Sequence, residues 1–253
     1  MKLTKFLTLI LLQLMTTSSF ALEKETPPKL TFYTESYPPA NYIENGEMKG
    51  ITVDTLKAIW KELGIAEPEI NIVPWVRGYR FALDKPNSVL FTMSRTQPRE
   101  KLFKWVGPIF NSTHVLIGKK SKKFEFANLG QLFYHKVAAV RGDISEISLN
   151  QVGFPDYNFT RVSELKLAFK MMESDRVDMI VTTIHGFDHL SKQLEINYQQ
   201  YEVVWQINKF GNYIAFNNKT SSEIIYKYQS ALERIANQHL LIKKKYGLRQ
   251  AEY

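Results

Sequence analysis

The chain has 253 residues, no cysteine, and 33 Lys and Arg against 25 Asp and Glu, for a formal charge of +8. That length admits one large or two small domains with proper cores, and the lack of cysteine excludes disulfides, thiol catalysis and Cys-ligated zinc. The basic clusters at 119–123 and 243–245 lack interleaved aromatics, so they read as solvated faces, and nucleic acid is not expected as a partner.

The N-terminus carries Lys2 and Lys5, an apolar run over 6–15 and the small-x-small sequence Ser19-Phe20-Ala21. This is the pattern of a secretory signal over residues 1–21, cleaved after Ala21, with an apolar run too short to span a bilayer. No cysteine follows to carry a lipid. A free periplasmic protein of net charge +6 is expected.

Residues 30–34 are aromatic and β-branched and predict a strand; Pro38-Pro39 and Asn45-Gly46 then mark a loop and a hairpin-like turn. Apolar residues at helical spacing predict a helix over 52–63, stopped by Gly64. A strand at 70–73, a helix at about 76–83 and an apolar run at 89–93 follow. This alternation predicts a mostly parallel sheet covered by helices.

The same order starts again with strands at 115–118 and 136–140, the latter ending at Arg141-Gly142-Asp143. Ser163 is placed as N-cap of a helix whose Leu165, Ala168, Phe169 and Met172 share a face. Strands at 177–181, 203–207 and 212–216 precede a long helix over about 221–246, which Gly247 ends. No flexible tether divides the chain. Two α/β units would therefore be joined by strands.

The chain lacks a nucleophile elbow, a glycine-rich dinucleotide or phosphate loop and a His-Glu-x-x-His motif. His185 and His189 stand four apart, yet zinc needs at least three protein ligands, so they read as surface histidines and no metal or cofactor is expected. Glu35, Asp54 and Asp143 are candidate carboxylates that spacing alone does not bring together. Thr92, Ser94, Arg95, Thr96 and Arg99 follow the 89–91 run. In open α/β sheets ligands bind beyond the carboxyl ends of strands, and an arginine there can grip a carboxylate with its fork of donors. The same residues also read as an ordinary turn, with Thr96 capping a helix-like 97–101.

Several separated stretches carry a family resemblance. They are residues 33–39 (Tyr-Thr-Glu-Ser-Tyr-Pro-Pro), 49–54 (Lys-Gly-Ile-Thr-Val-Asp), 73–79 (Val-Pro-Trp-Val-Arg-Gly-Tyr), 94–100 (Ser-Arg-Thr-Gln-Pro-Arg-Glu) and 103–108 (Phe-Lys-Trp-Val-Gly-Pro). With 137–143 and 174–180 of the second unit, they resemble the family 3 extracellular solute-binding proteins of polar amino-acid ABC transporters, over about residues 29–248.

The resemblance implies a periplasmic-binding-protein-like α/β fold: two lobes joined by two crossing strands, with a ligand cleft between them that closes about a hinge. Lobe 1 would be 22–115 plus 211–253, and lobe 2 would be 116–210. It implies a monomer that captures a small polar, carboxylate-bearing ligand for a membrane permease. By position, Arg99 matches the residue that grips the ligand carboxylate, Thr92, Ser94 and Thr96 match its neighbouring contacts, and Tyr37 and Trp75 match the aromatic walls. Asp143 falls in the ligand loop of lobe 2.

Where the family's amino-acid binders place an aspartate for the ammonium, this chain has Thr183, so Asp143 or Glu35 would have to supply that charge. Two alternatives stand beside transport. One is a prephenate (cyclohexadienyl) dehydratase-like enzyme in which Arg99 and Arg77 hold a diacid and Glu35 or His185 moves a proton. The other is a sensing module that feeds a membrane receptor.

Overall fold

The structure, a computed structural model, describes residues 29–248; the expected signal segment lies outside the described residues. Its frame is an eight-stranded sheet in the order β4-β1-β5-β10-β6-β9-β7-β8. The strands are β1 (Thr31–Thr34), β4 (Ile70–Ile72), β5 (Ser88–Ser94), β6 (Phe103–Lys119), β7 (Val137–Val140), β8 (Phe159–Val162), β9 (Met179–Thr183) and β10 (Tyr201–Asn217). A separate hairpin joins β2 (Tyr42–Glu44) to β3 (Glu47–Lys49). Asn45 and Gly46 turn it, both at positive φ as a tight hairpin requires.

The predicted strands at 115–118, 203–207 and 212–216 prove to be parts of two 17-residue strands, β6 and β10, paired antiparallel from Tyr201↔Lys119 to Asn217↔Phe103. Polar residues at their middles, including Ser112, His114, Asn208 and Lys209, break the apolar signal that a continuous strand would show. The sheet is also less parallel than predicted. β1, β4 and β5 pair parallel at one end and β7, β8 and β9 at the other, while β10 is antiparallel to β5 and β6, and β6 to β9. A chain that runs out to the second half and back must supply two opposed strands at the centre.

Helices cover both faces of each half, the two lobes. In the first half, α1 (Ile51–Glu62), α7 (Ser222–Arg234) and α8 (Ala236–Lys245) enclose a core around Phe32, Trp60 and Phe216, while α2 (Trp75–Asp84) covers Leu90 and Met93 on the other face. In the second half, α5 (Leu165–Glu173) and α6 (Ile184–Gln193) pack over Val115, Ile117 and Ile180. The opposite face holds Leu116, Met179 and Val181, packed against α3 (Leu129–Leu132) and α4 (Ile144–Gln151). Successive residues of β6 and β9 thus enter different cores, the two-residue period of a strand buried on both sides.

Three local expectations need correction. The single helix over 221–246 is two, broken at Ile235, a bend that keeps both Ile235 and Ile242 in the core. Ser163 does not cap α5: Glu164 holds the N-cap position and makes no side-chain capping bond. The helix α4, absent from the sequence reading, begins at Asp143, whose side chain accepts the Ile144 N–H.

At the end of β10 the buried Asn217 ties α2 to the sheet. Its Nδ2 donates to the carbonyls of Ala82 at 2.8 Å and Leu83 at 2.9 Å, and its Oδ1 accepts the Lys219 N–H at 2.9 Å. Asn217→Ala strands two carbonyls at the helix end and is expected to cost about 1–3 kcal/mol, read as a lower urea midpoint at unchanged slope.

Candidate functional site

The site forms where the two halves of the sheet meet. β5 delivers Thr92 and Ser94 at its carboxyl end, and a 3-10 turn, Gln97–Arg99, folds Arg99 back beneath them. Arg99 is 4% exposed. Its Nη1 donates to the Ser94 carbonyl at 3.3 Å, and its guanidinium lies 5.1 Å from the Trp75 ring centroid and 5.4 Å from that of Tyr79. Aromatic faces and a carbonyl make a seat for a buried cation. Burial lowers its pKa, while the charge of Asp143 acts the other way.

The loop after β1 brings Glu35 and Tyr37, and the second half answers with Asp143 and Thr183. Asp143 accepts hydrogen bonds from Ile144 N–H at 2.6 Å and Ser145 Oγ at 2.7 Å. Thr183 caps α6 by accepting the Gly186 N–H at 3.0 Å, and the hydroxyls of Tyr37 and Thr183 meet at 3.1 Å. Trp75 Nε1 donates to the Gly142 carbonyl at 2.9 Å. These last two bonds cross from one half to the other, so the cleft is drawn shut.

Two adjoining cavities fill what remains, and Glu35, Tyr37, His114 and Asp143 line both. The inner one, about 20 Å³, reaches Trp75, Thr92, Ser94 and Arg99. The other, about 350 Å³, runs past Thr183 and under the N-termini of α5 and α6 to Lys166, His189 and Gln193. A larger groove of about 800 Å³ lies apart, on the outer face between α1 and α8. Burial, reinforced by the charge of Asp143 and opposed by that of Arg99, raises the pKa of Glu35 from 4.5 to about 8. Burial likewise raises that of Tyr37.

Of the residues singled out from sequence, Glu35, Tyr37, Trp75, Thr92, Ser94, Arg99, Asp143 and Thr183 line one or both cavities. The Thr92 hydroxyl donates to Thr52 Oγ1 at 2.8 Å, which ties this wall to α1. Thr96 and Arg77 do not line either cavity. Thr96 is buried behind the 3-10 turn, caps nothing, and its hydroxyl has no hydrogen-bond partner among the described residues. Arg77 is exposed on α2. Two residues along a helix is a turn of about 200°, which carries it away from the face that holds Trp75.

Sequence reasoning missed His114 and Asn212, both on the crossing strands. Asn212 Nδ2 donates to Ser112 Oγ at 2.7 Å and fastens β10 to β6 at the crossing. His114 is 2% exposed, its Nδ1 has no partner among the described residues, and burial lowers its pKa to about 4. A lone histidine just before the apolar run at 115–118 carried no signal of a site. Among the described residues no group of three or more His, Cys, Asp or Glu is placed to hold a metal ion, and no helix is long and apolar enough to cross a membrane.

Residues 30–248 match the model of the bacterial extracellular solute-binding proteins, family 3. The chain belongs to that family. Among solved structures, it is 25% identical to an ancestral arginine-binding protein bound to arginine, with TM-score 0.74, covering 87% of this chain and 98% of that one. The arginine-, lysine-, histidine-binding protein ArtJ of Geobacillus stearothermophilus shares 17% identity at TM-score 0.74, over 87% and 95% of the two chains. A histidine kinase sensor domain similar to periplasmic binding proteins shares 17% identity at TM-score 0.77, over 87% and 96%. No curated protein sequence matches the chain significantly. Family 3 thus accounts for both halves and for the cleft between them.

Proposed function

We propose that this solute-binding protein captures a small polar ligand bearing a carboxylate, an amino acid or a related compound, and hands it to an ABC transporter in the inner membrane. The observation that carries the reading is Arg99, a buried guanidinium at the carboxyl end of a central strand, facing a cavity walled by both halves. Arg99 is assigned the ligand carboxylate and Ser94 and Thr92 its flanking contacts. Tyr37 and Trp75 are assigned the walls, and Asp143 and Thr183 the contacts from the second lobe. Lobe 1 is taken as 22–115 plus 211–253 and lobe 2 as 116–210, hinged on β6 and β10. The protein acts as a monomer in the periplasm after cleavage at Ala21. Similarity to arginine-binding proteins supports an amino-acid-like ligand.

Binding needs no reaction, and no catalytic role is assigned to Glu35 or His114. The similarity to a histidine kinase sensor domain favours a second reading, in which the same closure is read by a membrane receptor. A thermal-shift screen of residues 22–253 against amino acids, amines, small peptides and organic acids tests the primary reading. A carboxylate-bearing ligand at 100 times its dissociation constant is expected to add about 2.7 kcal/mol of stability. A screen in which only ligands without a carboxylate stabilise the protein contradicts it.

A further inference from the structure

The fold leaves His114 a polar atom with nothing to bond. The residue stands on β6 where the strand passes between the halves, and it lines both the inner cavity and the larger one. Its Nδ1 is buried with no hydrogen-bond partner among the described residues, and no other residue with such an atom lines either cavity. The polar side chains nearest to it in the sheet are engaged elsewhere. Thr183, opposite on β9, meets the Gly186 N–H and the Tyr37 hydroxyl. Asn208, opposite on β10, donates to Gln151 Oε1 at 3.3 Å, and Ser112, two residues back, accepts from Asn212. Phe210 holds the ring in a T-shaped contact, with centroids 5.7 Å apart. A buried polar atom without a partner destabilises a fold and is rare, so one at the wall of a cleft points to what fills the cleft.

We propose that His114 is a specificity-determining residue: its Nδ1 pairs with an uncharged polar group of the ligand, a hydroxyl or an amide, placed where the inner cavity meets the larger one. The inference rests on the functional reading above, which gives the ligand carboxylate to Arg99 and leaves the middle of the ligand to this junction. Burial holds the imidazole neutral, so the contact reads a hydrogen bond and not a charge, and a neutral ring nitrogen donates or accepts according to its tautomer. A ligand of the same shape without that group leaves Nδ1 orphaned in the closed cleft. A site built for a hydrogen bond rejects such a ligand more strongly than an apolar pocket rejects a polar one.

The same atom works against the empty protein. His114→Leu removes the orphan together with its partnerless nitrogen, and the empty variant is expected to melt no lower than the wild type while discriminating less between ligands. A histidine with a merely structural role gives the opposite pair of results, a lower melting temperature and unchanged discrimination. His114→Asn keeps a hydrogen-bonding amide near the position of Nδ1 and is expected to recover part of the discrimination.

The test is calorimetric titration of residues 22–253 with pairs of probes matched in shape: L-glutamine and L-methionine, L-threonine and L-valine, L-malate and succinate. The wild type is expected to favour the polar member of a pair by about 5- to 150-fold. His114→Leu is expected to remove that preference, mainly by weakening the polar member. NMR of protein labelled at its five histidines, with His114→Leu to assign the signal, is expected to show the His114 ring nitrogens shift when the favoured polar probe is added. Discrimination that survives in His114→Leu, a His114 ring signal unmoved by a bound polar probe, or preference for the apolar member in every pair overturns the inference. If every probe fails while the thermal-shift screen yields another carboxylate ligand, the functional reading stands and the inference falls. If no carboxylate ligand binds, both fall.

Discussion

Arg99→Ala is expected to remove ligand-induced stabilisation from the protein and to weaken binding by about 30- to 5,000-fold, the range for truncating one partner of a buried charge pair at 2–5 kcal/mol. The guanidinium already lies over Trp75 and Tyr79 and against the Ser94 carbonyl. A ligand carboxylate therefore meets a cation whose position is fixed in advance, and little side-chain freedom is lost on binding. Arg99→Lys keeps the charge but neither the planar fork nor the stacking, so it is expected to recover only part of the affinity. Calorimetry with any ligand from the thermal-shift screen measures both variants, with far-UV circular dichroism to verify the fold. Wild-type affinity in Arg99→Ala would remove Arg99 from the site.

Gly50→Ala is expected to destabilise the protein by about 2–6 kcal/mol, from backbone strain of about 1–3 and overpacking of similar size. Gly50 sits at φ 129° and ψ 170° as the N-cap of α1, a conformation open in practice to glycine alone. An added Cβ would strike the Ala40 carbonyl and come within 2.7 Å of the Asn41 amide nitrogen. Neither can retreat freely. The Ala40 carbonyl accepts the Thr52 N–H and that of Pro39 accepts the Ile51 N–H, both at 3.0 Å, while Asn41 Nδ2 donates to the Glu35 carbonyl. The strain is thus passed to the loop that holds Glu35 and Tyr37. Urea denaturation is expected to show the loss, and the variant to bind ligand more weakly as well. Gly46→Ala is the control: its φ is 81°, but nothing lies within 4 Å of the new Cβ, so about 1–2 kcal/mol is expected.

Elements with an uninterrupted period were legible in the sequence. The helix expected over 52–63 is α1, that over 76–83 is α2, and the run at 89–93 is β5. What escaped lies where two demands share one segment. β6 and β10 must be apolar inside each half and polar where they pass the cleft, so each reads as short fragments around Ser112 and His114 or Asn208 and Lys209. α4 is short, and two of its first-turn residues, Ser145 and Glu146, are polar, so no apolar stripe announced it.

The site divides along the same line. Arg99, Ser94 and Thr92 stand together in sequence at the end of a strand, where chemistry can be read from proximity. Glu35, Asp143 and His114 come from three distant segments, and only the fold brings them to one cavity. Arg77 shows the converse, since its motif lies beside Trp75 in sequence while the helix turns it outward.

The most direct measurement of capture between the two halves is hydrogen exchange on residues 22–253 with and without saturating ligand. Simultaneous protection is predicted at 94–99 in the first half, at 142–146 in the second, and at the start of α6, 183–186. Protection confined to one half, or centred on the outer groove between α1 and α8, would contradict it.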